Sequence, residues 1–589
     1  MCGIIGYVGK QKALPILLHG LKTLEYRGYD SAGLAYVCSD NDEVEIVKSV
    51  GKIASLEEKV DVEMNTTIGI GHTRWATHGD VTINNCHPHR LGDIVLVHNG
   101  IIENYLEIKE KLTKLNYTFK GDTDSEILCG LVDYYYHENN NNMIETLTKV
   151  SKEVKGSYAC AVIVNADVDN IYVMRKDSPL IIGIGKNENF VASDVPAILK
   201  YTNKYMFLDD YEVAMISVKD VEVYKDSVKV DKNINVFEND QEVIDKHGFS
   251  HYMLKEIHEQ ATLARNNILE NLDSIPDITK YENIHIVACG SAYHAGLVGK
   301  FLIEEYVNIP VSVDIASEFR YKKLFLTDKD LVIAISQSGE TADTLASLRI
   351  AKELGATTMG VVNVFGSSIA REVDIVVYTN ALTEIAVATT KGYMMQIYML
   401  GLIAIKNSNL RYEDIYENYK LFANQIDSLL DNDLFLEIAS EIYKYNDVFF
   451  LGRGVDYYVA LEGSLKLKEI AYIHSEAYAA GELKHGTISL IEKDTPVISI
   501  ITDNNIREKT LSNIKEVISR GAKSYIIATS DMDIDESYYH KIIRVPSTIN
   551  TLKPLLAVVP LQLIAFETAK LNDCDIDKPR NLAKSVTVE

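Results

Sequence analysis

The feature that most constrains the fold is a pattern of buried strand, glycine or serine turn, and helix that occurs twice in the second half of the chain. The strand-like runs of the first copy begin at Ile284, Leu331 and Thr357, and those of the second begin at Asp447, Thr495 and Ala522. Strands that alternate with helices favour a parallel sheet covered on both faces. Two copies of one topology indicate an internal repeat. We therefore predict two α/β doubly wound domains, at residues 251–424 and 425–580.

The first 238 residues have a different character and predict an α+β domain of stacked β-sheets flanked by helices. Polar residues at 239–250 read as a linker, and residues 581–589 read as a C-terminal tail. A chain of 589 residues has room for about three or four units of this kind. The expected strands are Ile4–Val8, Gly33–Val37, Thr67–Gly71, Ile94–His98 and Ala159–Val164, and the expected helices are Ile102–Leu115 and Ser125–His137.

Composition excludes some classes of protein. The net charge of -25 argues against nucleic acid as a partner, because phosphate backbones select basic surfaces. Seven scattered cysteines with no CxxC pair are typical of a reducing compartment. The N-terminus has no signal-peptide pattern, and Tyr393–Ile405 is too short an apolar run to span a bilayer. We expect a cytoplasmic protein that is not attached to a membrane.

The first candidate for chemistry is Cys2, which is followed by a small residue, Gly3. An initiator Met is normally removed in that context, and Cys2 would then carry a free α-amine. Such an amine has a pKa of about 7.7–8.0, far below about 10.4 for lysine, so it can accept the thiol proton near neutral pH. One residue then supplies both nucleophile and base. Position alone leaves open that the cysteine is incidental.

Four further motifs favour a functional role for Cys2. They are RGYDSAG at 27–33, GHTRWATHG at 71–79, HNGIIEN at 98–104 and GDTDSE at 121–126. With Cys2 they resemble the N-terminal-nucleophile (class II) glutamine amidotransferases. The resemblance implies that Cys2 attacks the glutamine amide and that Asn99 and the Gly100 N–H form the oxyanion hole. It also implies that Arg74 and Asp124 bind the α-carboxylate and α-ammonium, with Thr77 and His78 lining the site.

Trp75 is the only tryptophan. A lone tryptophan usually packs in a core, but in this family the residue beside the carboxylate-binding arginine gates an ammonia channel.

The second half carries turns suited to phosphate. SQSGET, residues 336–341, follows the strand-like run 331–335, and Gly290–Ser291 forms a similar turn. Hydroxyls and N–H groups at a helix N-terminus bind anions, although such a turn is often only a helix cap. The turn and the repeat resemble the sugar isomerase (SIS) domain. That family binds phosphosugars there, which implies sugar-phosphate contacts from Ser291, Ser336, Gln337, Ser338, Thr341 and Val387.

Proton-transfer groups follow in the last third of the chain. Lys466 and Glu469 share a helix face at a spacing of three, which on its own is most often a surface ion pair. A glutamate beside a phosphosugar suits proton transfer between adjacent carbons, and His485 suits ring opening near neutral pH. Lys584 in the tail suits a Schiff base with a ketone.

Taken together, the chain resembles the family of amidotransferases that aminate and isomerise fructose 6-phosphate. The resemblance implies glutamine and fructose 6-phosphate as substrates, glucosamine 6-phosphate as product, no cofactor or metal, and a homodimer. It implies ring opening by His485, Schiff-base formation by Lys584, and proton transfer by Glu469 assisted by Lys466. This sequence departs from the family's pattern at Ala292, Ala386 and Thr487.

Two alternatives stay open on the residues alone. Another class II amidotransferase would need an acidic phosphoribosyl-diphosphate loop or an SGGxDS ATP loop, and neither occurs. A phosphosugar-binding regulator would have lost Cys2, Glu469 or Lys584, and all three are present.

Overall fold

The computed structural model describes residues 2–38, 42–76, 79–237, 246–267, 272 and 275–587. The chain divides into two compact units: Met1–Val243 with Ala583–Glu589, and Ile244–Leu582. Residues 238–245, which include most of the predicted linker 239–250, lie outside the described residues.

The first unit contains fifteen strands and five α-helices within its described residues. Its strands are β1 Gly3–Gly9, β2 Ser31–Cys38, β3 Glu43–Val50, β4 Ile68–Arg74, β5 His89–Leu91, β6 Ile94–Ile102, β7 Gly156–Val164, β8 Asp167–Lys176, β9 Ile181–Ile184, β10 Glu188–Ala192, β11 Lys204–Phe207, β12 Glu212–Ile216, β13 Val221–Lys225, β14 Val228–Val230 and β15 Asn235–Val236. Its helices are α1 Ala13–Leu24, α2 Ile53–Glu57, α3 Tyr105–Lys114, α4 Asp124–Glu138 and α5 Met143–Glu153.

These strands form two antiparallel sheets packed face to face. One has the order β15-β11-β9-β10-β1-β4-β2-β3 and the other the order β14-β13-β12-β8-β7-β6-β5. The core between them joins Ile4 and Ile70 of the first sheet to Val97 and Ala161 of the second. Helix α1 covers the outer face of the first sheet, and α3, α4 and α5 cover that of the second. The predicted stacked sheets flanked by helices are confirmed.

The second unit contains ten strands and eleven α-helices within its described residues. Its strands are β16 Asn283–Ala288, β17 Val311–Ile315, β18 Asp330–Ser336, β19 Thr357–Val362, β20 Ile375–Tyr378, β21 Asp447–Gly452, β22 His474–Ala479, β23 Pro496–Ile501, β24 Lys523–Thr529 and β25 Lys541–Val545. Its helices are α6 Tyr252–Asn266, α7 Gly290–Val307, α8 Ala316–Phe319, α9 Ala342–Glu353, α10 Ser368–Glu372, α11 Lys391–Lys406, α12 Tyr412–Leu430, α13 Leu434–Ile442, α14 Val455–Ala471, α15 Arg507–Ile518 and α16 Lys553–Leu571.

The ten strands form two parallel sheets of identical topology. Their orders are β17-β16-β18-β19-β20 and β22-β21-β23-β24-β25, so in each sheet the second strand lies outside the first and the others follow in sequence. This order confirms the predicted repeat of doubly wound domains. In such sheets ligands bind beyond the carboxyl ends of the strands where the order reverses. In the first sheet that point lies between β16 and β18; Ser291 lies in the first turn of α7, shortly after β16, and Ser336 is the last residue of β18.

Helix α16 is long and apolar enough to cross a membrane by length and composition. However, 83% of its most apolar window is buried inside the structure. It packs in the apolar core that both halves of the second unit share, through residues such as Leu556, Val559 and Leu563. Burial of this kind is the property of a core helix.

Candidate active sites

A pocket lies in the first unit. Three structural elements bring separate sequence motifs to it: β4 ends at Arg74, β6 carries Asn99 and Gly100, and α4 begins at Asp124. Cys2 directly precedes β1, the neighbour of β4 in the sheet. The pocket is lined by Cys2, Arg74, Trp75, His87, His98, Gly100, Thr123, Asp124 and Ser125.

The Cys2 thiol is half-buried beside the Trp75 backbone. The Trp75 N–H donates to Cys2 Sγ at 3.3 Å, and Cys2 Sγ donates to the Trp75 carbonyl at 3.6 Å. Burial raises the pKa of the Cys2 thiol above its ordinary value. The thiol is therefore protonated near neutral pH and needs a base before it can act as a nucleophile.

Asn99 and Gly100 lie on β6, where Asn99 contacts the Cys2 backbone and Gly100 lines the same pocket. Asn99 Nδ2 donates to the Cys2 carbonyl at 3.0 Å, and Asn99 Oδ1 lies 3.0 Å from His72 Nε2. Gly100 has a φ of 129°, and a Cβ there would lie 2.0 Å from the Ser157 carbonyl oxygen. Only glycine is accommodated, because the positive φ and the close approach both exclude a side chain.

Arg74 and Asp124 bring opposite charges to the same pocket while both are buried. The Arg74 guanidinium donates to the carbonyls of Gly79 at 3.1 Å and Asp80 at 3.3 Å. Asp124 accepts from the Ile102 N–H at 2.8 Å. A pocket with a guanidinium, a carboxylate and a thiol suits an amino acid zwitterion with a reactive side chain.

Thr77 and His78 lie outside the described residues, so their predicted contacts with glutamine stay predictions. Trp75 is half-buried and contacts Cys2 through its backbone.

Sequence reasoning missed a cluster of buried histidines behind the pocket: His72, His87, His89 and His98. The His72 and His87 rings stack at 4.0 Å between centroids, and the His87 and His89 rings meet edge to face at 4.7 Å. Burial and neighbouring positive charges lower the pKa values of His72, His87 and His89, that of His72 to about 3. A signal was present, since five of the 15 histidines lie between residues 72 and 98.

In the second unit, the SQSGET turn begins at Ser336, the last residue of β18, and leads into α9. Ser336 is buried, and its Oγ accepts from the Gly339 N–H at 3.0 Å and lies 3.0 Å from Thr341 Oγ1. Gly339 has a φ of 66°, and a Cβ there would lie 2.0 Å from Ser367 Oγ. The Ser336 hydroxyl thus holds the turn together through contacts with Gly339 and Thr341. The side chains of Gln337 and Ser338 are half-buried.

Sequence reasoning also missed Glu462, a buried carboxylate that contacts Ser291 and Lys466. It accepts from Ser291 Oγ at 2.8 Å and from His294 Nδ1 at 2.8 Å, and it lies 3.3 Å from Lys466 Nζ. Lys466 also pairs with Glu469. Although burial alone would lower the pKa of Lys466, the two carboxylates hold it above its usual range. Burial alone would raise the pKa of Glu462, but Lys466, His294 and Ser291 hold it below its usual range.

Three more of the predicted sugar-site residues are described by the structure. His485 is exposed in the short turn Leu483–His485, and its side chain has no hydrogen bond or ion pair among the described residues. Val387 is buried, and its N–H donates to the Asp577 carbonyl at 3.0 Å. Lys584 lies in the segment Ala583–Glu589, which is grouped with the first unit. Ala292, one of the departures, packs against the apolar core.

The two units match different families of known proteins. Residues 82–200 match the glutamine amidotransferase domain family, and residues 277–406 and 441–571 each match the SIS domain family.

Two relatives that align over the whole chain carry the same description. The glutamine–fructose-6-phosphate aminotransferase [isomerizing] of Caldanaerobacter subterraneus subsp. tengcongensis is 48% identical over 100% of both chains. The protein of the same description from Methanosarcina mazei is 44% identical, again over 100% of both chains. Among solved structures, the C-terminal domain of glucosamine-fructose-6-phosphate aminotransferase from Francisella tularensis matches with a TM-score of 0.53 and 37% identity. That match covers 57% of this chain and 100% of the other.

Proposed function

This chain belongs to the family of isomerising glutamine–fructose-6-phosphate aminotransferases, and on that premise we propose that it converts glutamine and fructose 6-phosphate into glutamate and glucosamine 6-phosphate. The observation that supports this most directly is the pocket that places the Cys2 thiol with Arg74 and Asp124. Those three groups match the three parts of glutamine: the amide, the α-carboxylate and the α-ammonium.

In the proposed glutaminase reaction, removal of Met1 leaves Cys2 with a free α-amine that takes the thiol proton. The thiolate attacks the amide carbon, and Asn99 Nδ2 and the Gly100 N–H stabilise the charge that develops on the carbonyl oxygen. The C–N bond breaks as the nitrogen takes up the proton and leaves as ammonia. Water then hydrolyses the thioester, which releases glutamate and restores the thiol. Thr77 and His78 are proposed to complete the glutamine site, and Trp75 to control where the ammonia goes.

In the proposed sugar reaction, the SQSGET turn binds the phosphate through Ser336, Gln337, Ser338 and Thr341, with Ser291 and Val387 lining the site. His485 opens the sugar ring, and the Lys584 amine forms a Schiff base at C2 with loss of water. Ammonia then replaces the lysine, and Glu469 moves a proton from C1 to C2 with help from Lys466. The product is the aldose, glucosamine 6-phosphate.

The oxidation of C1 is balanced by the reduction of C2 within the sugar, and the nitrogen comes from glutamine, so the proposal needs no cofactor. We further propose a homodimer, as the family resemblance implies. We propose a cytoplasmic location, since all seven cysteines are unpaired, as in a reducing compartment.

The test is to incubate the purified chain with glutamine and fructose 6-phosphate alone and to follow both products by NMR. We expect glutamate and glucosamine 6-phosphate in equal amounts. Glutamate without amino sugar would refute the synthase function and leave only a glutaminase. Amino sugar from ammonium salts but never from glutamine would refute the role of the first unit.

A further inference from the structure

We propose that His72 is a positioning residue for glutamine hydrolysis, which fixes the amide of Asn99 with its N–H groups facing the reacting carbonyl. This inference rests on the proposed function, because it concerns the oxyanion hole of the same pocket. His72 itself is not among the residues to which the motif resemblance gave a role in that pocket.

The first observation is the place of His72 in the sandwich. It lies on β4 in the eight-stranded sheet, opposite Ile4 on β1 and Gly33 on β2. Its side chain is completely buried and reaches across to β6 of the other sheet. There His72 Nε2 lies 3.0 Å from the His98 carbonyl and 3.0 Å from Asn99 Oδ1. The His72 ring therefore connects β4 to β6 through these two contacts.

The second observation is that these contacts leave one tautomer. The His98 carbonyl is only an acceptor, so the atom that faces it, His72 Nε2, must carry the proton. The neutral ring then has an unprotonated Nδ1, which has no hydrogen-bond partner among the described residues. The ring stays neutral, because burial lowers the pKa of His72 to about 3. Titratable groups facing it are His87, which stacks on it, together with His98 and Arg74.

A proton on Nε2 in turn selects one orientation of the Asn99 amide. Oδ1 faces the His72 donor, and Nδ2 donates to the Cys2 carbonyl at 3.0 Å. If the amide rotated by half a turn, two donors would face each other at His72. Two acceptors would face each other at Cys2, and both contacts would be lost in a buried site. His72 thus favours the orientation in which Nδ2 lies on the Cys2 side.

This orientation matters for the rate because an oxyanion hole needs donors, and an amide oxygen in that position would repel the developing charge. Loss of one such donor lowers kcat by about 10²–10³-fold in enzymes that use them. Binding of the glutamine α-carboxylate and α-ammonium uses other groups, Arg74 and Asp124. A defect in Asn99 orientation should therefore lower kcat and leave KM nearly unchanged.

The experiment compares His72→Asn with His72→Gln in the full-length protein. Both side chains are polar amides, but only glutamine is long enough to place an N–H where Nε2 lies. We expect His72→Asn to lower the glutaminase kcat by about 10²-fold with KM within about threefold of wild type. His72→Gln should recover most of that loss. His89→Asn is the matched control, since His89 belongs to the same buried cluster and contacts Thr123 instead of Asn99.

A double substitution separates positioning from a general structural role. In an Asn99→Ala background, His72→Asn should change kcat by less than about twofold, because its effect passes through the missing side chain. Ammonia-dependent synthesis of glucosamine 6-phosphate by the same preparations should equal that of wild type, which shows that they are folded. The inference is overturned if the two losses add, if His72→Gln is as slow as His72→Asn, or if ammonia-dependent synthesis falls equally. A wild-type protein that fails to hydrolyse glutamine would instead overturn the proposed function.

Discussion

The Ser291 hydroxyl donates a 2.8 Å hydrogen bond to the Glu462 carboxylate, and this contact joins the first turn of α7 to α14. Helix α14 also carries Lys466 and Glu469. One end of the proposed sugar site is therefore built on a buried carboxylate that belongs to the other half of the repeat. Ser291 was predicted only as a sugar-phosphate contact, and this bond gives its hydroxyl a second role.

Substitution of Glu462 by Gln should slow the sugar reaction and spare the glutaminase. The change leaves buried Lys466 with Glu469 as its remaining carboxylate. Breaking a buried ion pair costs about 3–5 kcal/mol. Because Lys466 keeps its pair with Glu469, the loss in the free energy of unfolding should lie near the lower end of that range. Denaturant unfolding and the two half-reactions measure these effects. Glu417→Gln is the control, since its pair with Lys420 is exposed and should contribute less than about 1 kcal/mol. Equal losses for both variants would contradict the assignment.

Replacing Ser336 with Ala should raise the KM for fructose 6-phosphate. Its hydroxyl holds the Gly339 N–H and lies beside Thr341, so its loss loosens the turn proposed to bind phosphate. We expect a KM increase of about tenfold or more, equivalent to about 1.4 kcal/mol, with unchanged glutamine hydrolysis. Ser347→Ala removes another buried hydroxyl, which bonds carbonyls around α9. That variant should be less stable but should keep the KM of the wild type. An equal increase in its KM would argue against a specific role for the turn.

Gly100→Ala should abolish glutamine hydrolysis. The new Cβ would lie 2.0 Å from the Ser157 carbonyl oxygen, so β6 must shift at the proposed oxyanion hole. Gly355→Ala provides the comparison, because Gly355 also has a positive φ of 91° but has no atom within 4 Å of the added Cβ. It should cost only about 1–3 kcal/mol of backbone strain. Thermal unfolding and glutaminase rates distinguish the two, and a fully active Gly100→Ala enzyme would exclude the proposed hole.

Acid should remove a stabilising contribution at Glu441. Burial alone would raise the pKa of Glu441, but hydrogen bonds from Lys523, Tyr525 and His540 lower it to about 2. A carboxyl whose pKa is lowered by folding stabilises the protein at pH values above the unfolded-state pKa, which is 4.5 for this residue. That contribution is lost as the pH falls through about 2. Glu441→Gln should therefore lower the melting temperature at pH 6, and the difference from wild type should shrink below about pH 4.5. A difference that stays constant down to pH 3 would contradict this account.

Sequence patterns predicted the fold because its signals are local. The strand β1 reads as a continuous apolar run, and all seven of its residues are buried between the second sheet and α1. Likewise, α4 spans Asp124–Glu138 where the pattern predicts Ser125–His137. The repeat was visible because strand-like runs alternate with helices in both copies and several of them, such as β16, β18 and β21, lead into a glycine or serine turn.

The tertiary contacts that complete each site had no such local signal. His72 meets Asn99 across two sheets and 27 positions, and Ser291 meets Glu462 across 171 positions. Neither spacing is a helical or strand period. The role of such a buried polar residue depends on the side chain that it contacts in the folded protein. A single sequence does not indicate which side chain that is.

The central claim, that Cys2 releases the glutamine amide nitrogen that becomes the amino group of the sugar, is tested most directly by isotope transfer. The protein is given amide-¹⁵N glutamine, fructose 6-phosphate and unlabelled ammonium, and the amino group of glucosamine 6-phosphate is analysed by mass spectrometry. Wild type should give ¹⁵N product, and Cys2→Ala should give only unlabelled product at an undiminished ammonia-dependent rate. The intact mass of the same sample should lack Met1. Appearance of ¹⁵N in the product of the Cys2→Ala variant would contradict the account.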